Sequence, residues 1–194
     1  MRYEKGRKGA SRDRIMEVAA ERFRSDGIAA SGLATIMSDA GLTNGAFYPH
    51  FESKAELVRE SVVAALEAQS QWLGEALASG GLEMAIAAYL STAHRDNPAK
   101  GCASAALLPE LARQPPETRE VYTDRFVSLV RQVSAALPQS NDPKGVALGV
   151  FATLIGALQL ARAVEGIELS DSILAAGKDA AKVLIQPHKN EVAS

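Results

Sequence analysis

The residues with the most chemical content form one short run, Thr43-Asn44-Gly45-Ala46-Phe47-Tyr48-Pro49-His50-Phe51-Glu52-Ser53-Lys54. Thr43, read as the N-cap of a helix, sets a hydroxyl beside the free N–H groups of a first helical turn, a pairing that suits a phosphate. Asn44 is a short amide at the point of a helix from which base edges are read. Gly45 and Ala46 lack bulk, so the backbone can approach a groove closely, and the Ala46 methyl can meet that of a thymine. Lys54 supplies a point charge suited to a phosphate. Such groups recognise a polyanion; they do not make or break bonds.

Positioning this run requires rigid neighbours. Ser11 is read as the N-cap of a first helix reaching Asp26, with Gly27 as its stop. Ile15, Val18, Ala19 and Phe23 share one face of it. Ser31 is read as the cap of a second helix to Asp39 that buries Leu33, Ile36 and Met37. After a tight turn at Ala40-Gly41-Leu42, Thr43 opens a third helix of about two turns, which Pro49 must end. Phe47 and Phe51 belong to the core and hold this third helix outward.

Ser53-Lys54-Ala55-Glu56 matches a capping box. The helix behind it reaches about Ser79, some 37 Å of rod at 1.5 Å per residue, and Gly80-Gly81 ends it. Further helices are expected over about 82–95, 102–113, 116–137, 144–164 and 170–185. A kink or break is expected near Leu107, ahead of Pro109. The tail from Gln186 is read as frayed. No strand pattern, internal repeat or low-complexity stretch is visible. The fold class is therefore all-α, about nine helices, divided at 54/55 into a three-helix head and a larger helical domain over 55–194.

Composition agrees. The 194 residues are 47% apolar but only 5% aromatic, and an Ala-rich, aromatic-poor chain favours packed helices over sheets. The net charge of −2 hides an asymmetry: residues 1–24 hold 8 Lys/Arg against 4 Asp/Glu, and positive charge gathers where a polyanion would be met. No run of 18 apolar residues suggests a membrane span, and the polar N-terminus has no signal-peptide core. A cytoplasmic location is expected. The lone cysteine, Cys102, excludes an internal disulfide and a Cys-rich metal site. His50, His94 and His188 lie on unrelated segments, so no metal or other cofactor is expected.

From Ala40 to Lys54 the sequence resembles the TetR family of transcriptional regulators: Ala-Gly, a small aliphatic, Thr, a Gly two on, an aromatic, Tyr, then His-Phe and Ser-Lys opening a long helix. The resemblance implies a helix-turn-helix head reading double-stranded DNA. Thr43, Asn44, Gly45 and Ala46 form its reading surface, and Tyr48, His50 and Lys54 contact phosphates. Ser31 and Arg12 are further DNA-facing residues, and Arg14, Lys5, Arg7 and Lys8 could add backbone contacts. Met37 stands where the family usually has a small residue.

The resemblance also implies a homodimer on a palindromic operator. The last two helices of each subunit would form the interface through Phe151, Ile155, Gly156, Gln159, Leu174, Gly177 and Ala181. It implies an unidentified small-molecule effector as well, held in a pocket lined by Trp72, Met84, Tyr89, His94, Cys102, Tyr122 and Phe126. Repression relieved by that effector is the expected output, with a coupling of about 1–3 kcal/mol corresponding to roughly 5–150-fold release. One alternative is a thiol sensor of the same fold, because Cys102 sits at a helix start that would activate it. Another is a helical partner-binding module without DNA function, which leaves the polar third helix unexplained. An enzyme is not expected: no nucleophile elbow, phosphate-binding Gly-rich loop or paired-His metal motif is present.

Overall fold

A computed structural model describes residues 2–137 and 140–186, with side chains from residue 9 onward. Residues 187–194, including His188 and nearly all of the expected frayed tail, lie outside the described residues, as do the side chains of Lys5, Arg7 and Lys8. Among the described residues every regular element is helical. The α-helices are α1 (Arg2–Asp26), α2 (Leu33–Asp39), α3 (Lys54–Tyr89), α4 (Thr92–Asp96), α5 (Ala103–Leu111), α6 (Pro116–Ala135), α7 (Pro143–Ala163) and α8 (Ile167–Ile185). Short 3₁₀ turns occupy Asn44–Ala46 and Pro98–Lys100. The fold is all-α, as expected.

Several boundaries differ from expectation. α1 starts nine residues before Ser11, because an existing helix adds residues without a new nucleus and Glu4, Lys5, Arg7, Lys8 and Ala10 are good helix formers. Ser31 does not cap α2: Gly32 occupies the N-cap and makes no side-chain cap bond. The third helix is not two α-turns but the 3₁₀ turn Asn44–Ala46 with a further turn behind it, since Gly45 and Pro49 both oppose a longer helix. α3 continues beyond Ser79, but Gly81 has φ 70 and ψ −170, so the expected break is a kink within one helical run. The helix expected over 82–95 stops at Tyr89 and resumes as α4. α5 runs through Pro109 to Leu111.

The capping residues at 53–56 engage, with the return bond of Glu56 made one residue ahead of the N-cap. Ser53 Oγ accepts from the Glu56 N–H at 3.1 Å, and the Glu56 carboxylate accepts from the Glu52 N–H at 2.6 Å.

The chain forms two compact units. The first comprises residues up to Gln69 together with Asn97–Arg125, so it unites the head with α5 and the start of α6, and the expected division at 54/55 falls inside it. Its core includes Ile15, Phe23, Ile36, Met37, Phe47, Phe51, Leu57, Leu66 and Leu107. The second comprises Ser70–Asp96 with the chain from Phe126 onward. There α7 packs on α8. By length and composition α7 is apolar enough to cross a membrane; Val150, Leu154, Leu158 and Ala161, a turn apart along one face, are buried within the chain, as in a core helix. Asp142 caps α7 by accepting from the Gly145 N–H at 2.8 Å.

Candidate nucleic-acid interface

The segment expected to meet DNA is built on an aromatic cushion. α2 ends in a Schellman arrangement: the Leu42 N–H bonds to the Met37 carbonyl at 2.9 Å and the Gly41 N–H to the Ser38 carbonyl at 3.0 Å, with Gly41 at φ 72. This turn redirects the chain into Asn44–Ala46. Phe47 and Phe51, each 1% exposed, stack with ring centroids 5.5 Å apart. Tyr48 projects the opposite way, 71% exposed, its ring edge-on to Phe47 at 5.4 Å. Thr43, Asn44 and Gly45 are exposed and Ala46 is half-buried. A coiled, outward segment anchored by two buried rings places a hydroxyl, an amide and a phenol on one exposed run. No apolar interior competes for them.

The remaining expected contacts have partners within the first compact unit. Ser31 is 2% exposed and its hydroxyl donates to the Gly27 carbonyl at 2.6 Å. It therefore braces the α1–α2 turn and presents no hydroxyl outward. Arg12 lies over the Phe51 ring, 4.8 Å from its centroid, and pairs with Glu60. Lys54 Nζ donates to the Ile28 carbonyl at 2.5 Å. His50 is half-buried, its backbone N–H bonded to the Phe47 carbonyl at 2.9 Å. Arg22 joins α1 to α2 through Asp39 while also pairing with Asp26 at 2.8 Å.

Two residues that sequence reasoning passed over complete the head. Glu110 of α5 accepts from the Ile28 and Ala29 N–H groups at 3.0 and 2.8 Å. Arg24 donates to the Ala99 carbonyl at 2.5 Å, and burial pulls its pKa below the usual guanidinium value. The only signal for Glu110 was indirect: the amides following Gly27 leave the helix and need acceptors.

The expected pocket residues are divided between the two units. Cys102 and Tyr122 belong to the first. Cys102 is 6% exposed with Sγ 3.2 Å from Gln69 Oε1, and Tyr122 Oη lies 3.0 Å from Ser104 Oγ. Burial raises the Tyr122 pKa, with the Ser104 bond opposing it. Trp72, Met84, Tyr89, His94 and Phe126 belong to the second. Tyr89 and His94 meet edge-on at 4.7 Å, and the His94 ring bonds to the Tyr89 carbonyl at 2.6 Å. Burial holds the His94 pKa below the usual imidazole value. Phe126 meets Phe151 at 5.3 Å. Trp72 and Met84 are exposed; Met84 folds back over Gly80.

The expected interface residues mostly serve internal packing. Phe151, Ile155, Leu174, Gly177 and Ala181 are buried within the chain. A Cβ at Gly177 would lie 2.5 Å from that of Ala157 and 3.0 Å from Leu90 Cδ1, so this glycine permits α8 to approach α7. Gly156 and Gln159 are half-buried. The apolar residues these helices leave exposed include Leu148, Ala152 and Leu160 on α7 and Ile167, Leu169, Ala176, Ala180 and Val183 on α8. Equally unforeseen is the buried Arg95, which donates to Ser170, Asp171 and Asp96 at 3.0, 2.6 and 2.7 Å. Arg162 donates to the His94 carbonyl at 2.6 Å and the Arg95 carbonyl at 3.1 Å, which fixes α4 to α7 and α8.

Residues 15–61 match the family model of bacterial regulatory proteins, tetR family. Over 49 residues the chain is 47% identical to the HTH-type transcriptional regulator TtgR of Pseudomonas putida, a match covering 25% of this chain and 23% of that relative. The match thus spans about a quarter of the curated relative's length. A TetR transcriptional regulator of Chloroflexus aurantiacus shares the fold with TM-score 0.79 at 23% identity, covering 96% of this chain and 98% of its own. The reduced form of Escherichia coli NemR shares it with TM-score 0.72 at 22% identity over 87% of this chain and 95% of that one. The match at 15–61 falls on the exposed turn and its aromatic cushion, and the fold is shared with that of the Chloroflexus aurantiacus regulator over nearly the whole chain.

Proposed function

We propose that the protein is a one-component transcriptional regulator: a cytoplasmic homodimer that binds a palindromic DNA operator through residues 43–48 and releases it on binding a small-molecule effector. The observation that carries this reading is the exposed, coiled run Thr43-Asn44-Gly45 and Tyr48, anchored by the buried Phe47. Asn44 reads base edges and Tyr48 contacts a phosphate. Lys54 and Arg12 strengthen binding either indirectly, by bracing the head, or by turning outward to phosphates when DNA arrives. A two-fold dimer is needed because one such module is a weak reader, and paired heads meet half-sites about 34–36 Å apart or a multiple of that. The exposed apolar residues of α7 and α8 support this dimer, with Leu160 and Val183 central to it. The chain acts by binding, not catalysis.

Effector coupling follows from differential affinity alone. A ligand that prefers a head arrangement unlike the DNA-bound one weakens DNA binding by that preference. Repression is the output we assign. Thiol sensing is the weaker reading, because a buried Cys102 is shielded from reagents. The test is selection of duplexes from a randomised library, followed by gel shifts of the enriched sequence across salt concentrations. We expect a specific complex whose affinity falls steeply with salt. Failure of any sequence to enrich would overturn the proposal.

A further inference from the structure

We infer that Glu110 is a positioning residue for DNA reading: from α5 its carboxylate grips the α1–α2 turn and fixes the angle at which the head presents residues 43–48. The inference rests on the regulator reading above. It begins with two consecutive amides. α1 stops at Gly27, whose φ is 90, and the Ile28 and Ala29 N–H groups leave the helix without helical acceptors. Both turn to one carboxylate, Ile28 to Oε1 at 3.0 Å and Ala29 to Oε2 at 2.8 Å. Charge-assisted bonds of this kind are about twice as strong as neutral ones.

The grip is two-sided. The carbonyl of Ile28 accepts from Lys54 Nζ at 2.5 Å, so an anion holds the N–H and a cation the C=O of the same residue. Arg24, one turn earlier, is tied to Ala99 just ahead of α5. Gly27 is suited to its place twice over: its φ is left-handed, and a Cβ there would lie 2.6 Å from Glu110 Oε1. Downstream, Ser31 bonds back to Gly27 before the chain enters α2 and the reading turn. A shift of the turn is therefore passed to the reading residues.

α5 is suited to act as the moving part. Glu110 directly follows Pro109, which lacks a backbone N–H and so weakens the last turn of the helix. The same compact unit contains both α5 and the head. A change at α5 that withdraws the carboxylate releases two amides at once, loosens the turn and lowers DNA affinity with no residue of the reading surface altered.

The test uses the full chain and the duplex that the wild-type protein enriches from a randomised library. E110Q keeps the side chain's shape but loses its charge and one acceptor oxygen. We expect amide exchange at Ile28 and Ala29 to accelerate by about 10-fold and duplex affinity to fall by about 5–20-fold. A merely structural defect would multiply with N44A; a positioning defect makes the double variant lose less than the product of the two single losses. The wild type gives a second readout should E110Q fold poorly: by reciprocity, the duplex should slow exchange at Ile28 and Ala29. Wild-type affinity in E110Q, full multiplication with N44A, or DNA-independent exchange at both amides would overturn the role of Glu110. Enrichment of no duplex by the wild type would overturn the regulator reading itself, and this inference with it.

Discussion

The reading turn and the α7–α8 pair place apolar side chains in opposite ways. Around residues 43–51 two buried rings support a surface of polar and small residues, so each position has one role: Phe47 and Phe51 hold, while Asn44 and Tyr48 face out. α7 is apolar on nearly every side and α8 over a broad face, and the helices divide these residues between an internal seam at Gly177 and Ala157 and an external set at Leu160 and Val183. Local spacing decides the first arrangement. Only tertiary packing decides the second.

Substitution separates the roles. Phe47→Ala should lose about 3–5 kcal/mol of stability, as for any fully buried large aromatic, whereas Tyr48→Ala should stay within about 0.5 kcal/mol. Denaturant melts compare them, and equal losses would erase the division between holding and presenting residues. At the internal seam, Gly177→Ala should cost about 1–3 kcal/mol, because the Ala157 methyl cannot swing away. A neutral result would mean that α8 slides freely on α7. On the external set, the double variant L160E/V183E should leave stability within about 1 kcal/mol yet convert a particle of about twice 20.5 kDa into a monomer by light scattering. A surviving dimer would move the interface elsewhere.

The smallest effect is one of pH. Burial lowers the His94 pKa in the folded protein, so below the unfolded value of about 6.5 the unfolded chain binds more protons. The His94 contribution is present above that pH and is lost as pH falls toward the folded pKa. The unfolding midpoint should rise with pH just below 6.5, and H94N should flatten the rise. An identical slope in H94N would assign the rise to other groups.

Legibility in the sequence followed the range of the forces involved. The turn at Gly41, the capping box at Ser53 and Glu56 and the burial of Phe47 and Phe51 were all readable, because each rests on residues within a few positions of one another. Ser31 was misread as a cap because an ST-type bond back to Gly27 competes with capping and wins here. The two-turn reading of the third helix failed because Gly45 and Pro49 leave room for only a 3₁₀ turn. The roles of Glu110 and Arg95 were invisible: the Glu110 partners lie 81–82 residues away and the α8 partners of Arg95 75–76, and periodicity carries no information about such pairs. Of the seven α7–α8 residues expected at an interface, Phe151, Ile155, Leu174, Gly177 and Ala181 are buried within the chain. A helix that is apolar all round does not declare which side meets its own chain.

The central claim is that Asn44 touches bases. Its most direct test is to repeat the duplex selection with Asn44→Ala and compare the enriched sequence with that of the wild type. The account predicts relaxed preference at one position in each half-site, with about 1–3 kcal/mol less discrimination there. An unchanged preference at undiminished affinity would contradict it.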